Sequence, residues 1–320
     1  MSTSSRDDPT DQGATGPGGT APALDLSALG TETANPRTTG LDTMGTLELL
    51  QVMNAEDQTV AVAVREVLPA VARAVELVVR SRRLGGRLVY LGAGTSGRIG
   101  LLDAVECPPT FGTAPEEVLG LIAGGSGAFG VAVEGAEDDS DLGAADLAAV
   151  GVGPADVVVG LAASGRTPYV LGGLRHARAV GAATVAVACN RGAPVSALAD
   201  VAIEVETGPE VLTGSTRLKA GTAQKMVCNM LSSAAMVSTG KVYANLMVDV
   251  RPTNAKLLDR ARRIVAAAAE VDEDRAERAL QAADGHAKTA IVMLLTGGTP
   301  DTARARLEQH DGHVREAVRP

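Results

Sequence analysis

Tryptophan is absent from the 320 residues, and three tyrosines and two phenylalanines complete the aromatic set. A chain so poor in flat side chains lacks the platforms on which single-stranded bases stack. Positive charge is also in deficit: 29 basic residues stand against 38 acidic ones, and the net charge of −9 repels a phosphate backbone. Nucleic acid is therefore excluded as a partner class. Cysteine is scarce, since Cys107, Cys189 and Cys228 are odd in number, far apart and free of any C-x-x-C pairing. Neither a disulfide framework nor a zinc site is indicated, and the cytoplasm is the default compartment. Histidine is nearly missing before the C-terminal fifty residues, where His176 stands alone, and His310 and His313 share one polar turn without a second ligand pair. No serine sits in a G-x-S-x-G elbow. No metal site is indicated, and acid–base work falls to carboxylates or lysine.

Long hydrophobic runs are missing too. The uncharged stretch Met226 to Gly240 is flanked by Lys225 and Lys241 and is shorter than the roughly 18 residues of a membrane helix. It reads as a buried core helix. The opening MSTSSRDDPTDQGATGPGGTAP has no apolar h-region and is rich in Gly, Pro, Ser and Thr, the composition of a disordered tail over residues 1–28.

What the sequence does contain is a 45% hydrophobic content, enough for a sizeable core. After the tail, GTLELLQVMNAEDQTVAVAVREVLPAVARAVELVVRSRRL has apolar residues at helical spacing with a break near Pro69, which predicts two helices. Then RLVYLG, VLGLIAG, DVVVGLAAS, TVAVACN and VAIEVE alternate with helix-length segments. This alternation predicts an α/β fold, a parallel five-stranded sheet flanked by helices, with ligands gathered at the carboxyl ends of the strands. Beyond Gly208 the strands stop and the chain turns helical. Short amphipathic patterns from about Asp272, joined by GH, GGTP and HDGH turns, predict a small helical appendage over residues 271–320 and leave residues 29–270 as the main domain.

The first strand ends in Gly92-Ala93-Gly94-Thr95-Ser96-Gly97, which satisfies G-x-G-x-x-G. A dinucleotide reader also needs an acid at the end of the second strand, and VLGLIAGGSGAFG offers none. The third strand ends in a similar cluster, Ala163-Ser164-Gly165-Arg166-Thr167-Pro168, so Ser-Gly-Arg occurs twice. Backbone N–H groups at a helix N-terminus, joined by the hydroxyls of Thr95, Ser96, Ser164 and Thr167, form a donor ring suited to a terminal phosphate. Arg98 and Arg166 either close over that anion or face solvent. The same residues also suit plain strand-to-helix turns with hydroxyl N-caps.

Three carboxylate groups are candidates for the chemistry. Glu106 lies in LLDAVECPP, where Pro108 is expected to stop the helix and Asp103 lies one turn earlier on the same face. That setting favours a protonated general acid, although position alone points first to a solvent-facing glutamate at a helix end. The cluster Glu134-Gly135-Ala136-Glu137-Asp138-Asp139 is the second candidate. Glu210, in GPEVLTGSTRLKAG with Ser215 and Lys219, is the third.

The ordered series TETANPRTTGLD, GAGTSGR, LDAVECPPTFG, AVEGAEDD, AASGRTPYVLGGL, GPEVLTGSTRLKAGTAQK and NLMVDV resembles the N-acetylmuramic acid 6-phosphate etherases, which are built on the sugar isomerase (SIS) domain. The resemblance implies a flavodoxin-like SIS fold and a cofactor-free carbon–oxygen lyase of the hydro-lyase class. The implied reaction cuts the D-lactyl ether of N-acetylmuramate 6-phosphate by elimination and hydration in peptidoglycan recycling. It implies Glu106 as proton donor and Glu137 as the second catalytic glutamate. Gly94, Thr95, Ser96, Gly97, Arg98, Ser164, Gly165, Arg166 and Thr167 become the phosphate loops, with Glu210, Ser215 and Lys219 as further substrate-site residues. A homodimer is implied, with the Thr31 to Asn35 segment near a shared site, and an appendage resembling a ubiquitin-associated bundle. This chain has Val105 where the family usually has serine. A sugar-phosphate-sensing regulator, such as the glucokinase regulatory protein, and an aldose–ketose isomerase use the same fold and remain alternatives.

Overall fold

A computed structural model describes residues 29–131, 133–250 and 255–319. The tail expected over residues 1–28 lies outside the described residues. Two helices come first, α1 (Thr46–Glu66) and α2 (Leu68–Arg83), with the break at Val67 and Pro69 inside the first turn of α2, where its missing N–H costs nothing. The alternating region follows as β1 (Leu88–Gly92), α3 (Gly94–Phe111), β2 (Val118–Ile122), α4 (Ser140–Ala149), β3 (Val157–Leu161), α5 (Pro168–Ala179), β4 (Ala183–Ala188) and β5 (Val201–Glu204). All five strands fall in the expected apolar runs. They pair in parallel in the order β2-β1-β3-β4-β5. The order reverses direction between β1 and β3, and that is where an open α/β sheet leaves a crevice at its carboxyl ends.

Strand alternation divides the core. Leu88, Tyr90, Val157, Val159, Val185, Val187 and Ile203 face one layer, shared with α1, α2, α3 and the long helix α6 (Lys219–Ser238). Val89, Leu91, Val158 and Ala186 face the other, covered by α4 and α5. Both faces are buried, which is why the strands read as continuous apolar runs.

The chain after α6 is not wholly helical. Val242–Tyr243 (β6) and Leu246–Met247 (β7) form a short antiparallel pair around Ala244, whose φ is +52°. Then come α7 (Ala255–Ala269), α8 (Glu273–Ala282), α9 (Ala287–Thr296), α10 (Pro300–Gln309) and α11 (Val314–Ala317). The appendage expected from residue 271 shares its apolar core with α7: Ala261, Ile264 and Val265 pack with Ala276, Ile291, Leu307 and Val314. The amphipathic face of α7 is buried there rather than on the sheet. Asp249 ties this bundle down, bonded by Lys288 at 2.7 Å and paired with Lys241 at 3.1 Å. Among the described residues no helix is long and apolar enough to cross a membrane.

Candidate active site

Helix α3 begins directly beneath the end of β1, and glycine makes that approach possible. A Cβ on Gly97 would lie 2.6 Å from the Gly92 carbonyl oxygen, and one on Gly92 would lie 2.7 Å from the Gly97 nitrogen. Gly94 opens the helix with φ +51°, a left-handed conformation that glycine adopts without a Cβ penalty. The first intrahelical bond is Gly97 N–H to Ala93 O at 3.1 Å, so the N–H groups of Gly94, Thr95 and Ser96 precede the ladder and point out of the helix end. That end carries the positive pole of an 18-residue helix.

The turn after β3 meets it. Gly94, Thr95, Ser96, Ser164, Arg166 and Thr167 line one cleft of about 330 Å³. Ser164 Oγ accepts the Arg166 N–H at 3.2 Å, so its own proton remains available. The two arginines part company here. Arg98 donates to the carbonyls of Phe129 and Ala128, both at 2.8 Å, and pins the loop after β2 beside a neighbouring recess. Arg166 lines the cleft, and its Nε is buried without a partner among the described residues. A desolvated, unpaired guanidinium N–H is costly unless an anion answers it.

Glu137 reaches the same cleft from the 3-10 turn Ala136–Asp138, with Asp138 beside it. Two further lining residues are Glu32, which falls in the expected Thr31 to Asn35 segment without having been singled out, and Thr216, which was not expected. Glu32 comes from the segment before α1, which is anchored by Asn190 Nδ2 donating to Thr31 Oγ1 at 3.1 Å and by the Thr31 N–H donating to Asn190 Oδ1 at 3.4 Å. Its Oε2 stands 3.3 Å from where a Cβ on Gly214 would be. The signal for Glu32 was present in TETANPRTTGLD, but an isolated acid in a loop has no spacing rule to mark it.

Other expected residues lie elsewhere. Gly97 and Gly165 serve the backbone turns. Glu210 is buried and caps α6, accepting from the N–H groups of Lys219 at 2.9 Å and Ala220 at 3.0 Å. Burial pushes its carboxyl above the ordinary range in spite of those bonds. Lys219 Nζ is spent on Glu56 at 2.8 Å. Ser215 is half-buried in the loop whose next residue, Thr216, lines the cleft.

Glu106 departs furthest from expectation. Pro108 does not stop α3; the helix runs through both prolines to Phe111 and ends at Gly112, whose φ is +64° and whose N–H bonds Pro108 O at 3.0 Å. Burial of Ala104, Cys107 and Phe111 on one face holds the helix together where the prolines remove two donors. Asp103 and Glu106, roughly 60° apart around this continuous helix, straddle the edge of its buried face. Asp103 points inward to Tyr90 Oη at 2.8 Å and Ser232 Oγ at 3.1 Å, and burial raises its carboxyl. Glu106 is exposed beside Leu102 and Val105. Ten residues from Ser96, it lies about 15 Å along the helix axis from the cleft.

A larger cleft, about 450 Å³, opens at the amino ends of the strands. Its one deeply placed acid, Asp156, is already taken by Arg87 at 2.7 Å and by the Gly153 N–H.

Residues 131–234 match the SIS domain family, and residues 70–178 match the N-terminal SIS domain of the glucokinase regulatory protein. An N-acetylmuramic acid 6-phosphate etherase of Mycolicibacterium smegmatis is 67% identical over 295 residues, 92% of this chain and 99% of the relative. The chain belongs to the N-acetylmuramic acid 6-phosphate etherase family. Etherases of Geobacillus sp. and Aeromonas hydrophila are 58% and 56% identical, again over 92% of this chain and 99% of each relative. The etherase-family match thus spans both SIS-matching stretches and the helical bundle that follows them.

Proposed function

We propose that this etherase-family chain cleaves the D-lactyl ether of N-acetylmuramate 6-phosphate, giving N-acetylglucosamine 6-phosphate and D-lactate in peptidoglycan recycling. The observation that carries the reading is the convergence of two hydroxyl-bearing turns and an unpaired Arg166 on one cleft that also holds Glu137. The phosphoryl group sits on the N–H groups of Gly94, Thr95 and Ser96, with the hydroxyls of Ser96, Ser164 and Thr167 and the Arg166 guanidinium around it. Glu32 and Asp138, acceptors on the other side, take hydrogen bonds from sugar hydroxyl or acetamido N–H groups.

The chemistry is that of a carbon–oxygen lyase completed by water. In the open-chain sugar the aldehyde acidifies the proton on carbon 2, and the Glu137 carboxylate removes it. The C3–O bond breaks with its electron pair leaving on the lactate oxygen, which takes a proton from Glu106. Water then adds to carbon 3 of the unsaturated aldehyde, with Glu106 as base, and carbon 2 is reprotonated. Within one chain Glu106 is too far along α3 from Ser96 to touch carbon 3 of a sugar held there. The reading therefore includes a homodimer in which Glu106 of the partner subunit completes each cleft, with the exposed Leu102 and Val105 beside it at the contact. The three free, buried cysteines fit a reducing compartment, the cytoplasm.

The test is direct: incubate the pure protein with N-acetylmuramate 6-phosphate and assay D-lactate enzymatically. Stoichiometric release supports the reading; a substrate recovered intact, or isomerised without lactate, overturns it.

A further inference from the structure

Ser96 is 8% exposed and lines the cleft, and its Oγ lies 2.9 Å from Oε1 of Gln224 on α6. Gln224 is 1% exposed, and its Nε2 is buried with no partner among the described residues. A hydroxyl has one proton to give. If Ser96 gives it to Gln224 Oε1, only lone pairs face the cleft, and lone pairs repel an anion. A half turn of the carboxamide exchanges its oxygen and nitrogen. Nε2 then donates to Ser96 Oγ, the amide oxygen takes over the unpartnered place, and the Ser96 proton turns into the cleft.

The second serine already has this arrangement. Ser164 Oγ accepts the Arg166 N–H from behind, and its proton is left for the cleft. We propose that Gln224 is a positioning residue that does for Ser96 what the Arg166 N–H does for Ser164. Its amide donates to the hydroxyl from the core side, so that Ser96 faces a phosphoryl oxygen as a donor. Gln224 does not touch the substrate and acts through Ser96 alone. The inference rests on the cleft being the phosphosugar site.

Sulfate is the probe, because it stays a dianion across neutral pH and carries no sugar. Its dissociation constant is measured calorimetrically on wild type, Gln224→Met, Ser96→Ala and the double variant. Loss of one oriented donor to a charged oxygen weakens sulfate binding by roughly ten-fold in Gln224→Met. KM for the phosphosugar rises by a similar factor while kcat is nearly unchanged. In the Ser96→Ala background the Gln224→Met change has no further effect, because the hydroxyl it orients is gone. Equal losses in both backgrounds, or none in either, overturn the role of Gln224. Wild-type protein that binds neither sulfate nor inorganic phosphate overturns the phosphosugar reading itself, and the role of Gln224 with it.

If Gln224→Met does not fold, the wild-type chain answers by NMR with 15N-glutamine labelling. Gln224 is the one buried glutamine among the described residues, so its carboxamide protons exchange slowly. Sulfate should shift them in wild type and leave them unmoved in Ser96→Ala; a carboxamide indifferent to sulfate in wild type overturns the proposal.

Discussion

Lys219 and Glu56 meet at 2.8 Å with each side chain 2% exposed, which joins the first turn of α6 to α1 through a desolvated ion pair. Burial alone would raise the Glu56 carboxyl, but the bonded Lys219 ammonium and the nearby Arg37 hold it below the usual range. Removing Glu56 strands the Lys219 charge in the core, whereas removing Lys219 leaves Glu56 its ion pair with Arg37. Glu56→Met should cost roughly 3 kcal/mol or more and Lys219→Met less, because Arg37 still pairs with Glu56, whereas the paired change Glu56→Met with Lys219→Met should recover much of that loss. Urea unfolding of the four proteins checks it; simple additivity would mean that the pair is not coupled.

The approach of α3 to β1 gives a sharper contrast. Gly97→Ala places a methyl 2.6 Å from the Gly92 carbonyl oxygen and 2.7 Å from Ile122 Cγ1, neither of which is a mobile chain end. It should cost about 2–3 kcal/mol and displace the helix end that carries Thr95 and Ser96. Gly94→Ala meets open space and suffers only from φ +51°, so roughly 1 kcal/mol is expected. Thermal melts should rank them in that order, and sulfate affinity should follow the same ranking.

The sheet was readable because both its faces are covered, and apolar runs such as DVVVGLAAS have no other use in a chain this long. The paired serine turns were readable because each follows a strand end. Glu106 was legible as a residue but not as a location, because Pro108 and Pro109 ordinarily end a helix and here the buried Cys107 and Phe111 carry it past them. Lys219 and Glu210 carry charges that look available in sequence, yet one is consumed by Glu56, 163 residues away, and the other by the end of its own helix. Glu32 reaches the cleft only because Asn190, 159 residues on, anchors Thr31. Contacts at that separation leave no periodic trace.

Asp249 gives the helical bundle a pH dependence of definite sign. Burial opposes its ionisation, but the His286 imidazole 3.6 Å away and the Lys288 and Lys241 charges bring its pKa from 3.8 down to about 2. A carboxylate whose folded value is depressed stabilises above its unfolded pKa and loses that contribution as pH falls through the folded one. About 2 kcal/mol should thus be present near neutrality and disappear between about pH 5 and pH 2. Asp249→Asn should lower stability at pH 7, leave the buried Lys288 unpaired, and flatten this part of the acid limb. Denaturation curves at stepped pH decide; an unchanged limb would refute the assignment.

Glu32 should act in binding before chemistry. With no ion pair among the described residues and a place in the cleft that Glu137 also lines, it can accept from the sugar. Glu32→Gln keeps the shape and one acceptor oxygen but loses the charge. KM should rise about ten-fold with a smaller change in kcat. Exchange of the carbon-2 proton with deuterated solvent should continue, and its abolition would show that Glu32, not Glu137, is the base.

The distance between Glu106 and the cleft yields the most decisive prediction. Glu106→Gln and Glu137→Gln should each be inactive for lactate release, but they remove residues that the proposed dimer brings together from different chains. In a mixed dimer of the two variants, one cleft combines the intact Glu137 of one chain with the intact Glu106 of the other, while the second cleft lacks both. Random re-pairing makes half the dimers mixed, so the mixture should recover about a quarter of wild-type activity per site. If both carboxylates served one cleft from one chain, no pairing would ever assemble an intact site and the mixture would stay inactive. Refolding the two variants together from denaturant and assaying D-lactate separates these outcomes. The Glu106→Gln homodimer should still wash deuterium into carbon 2, because its Glu137 is intact and only the departing oxygen lacks its proton.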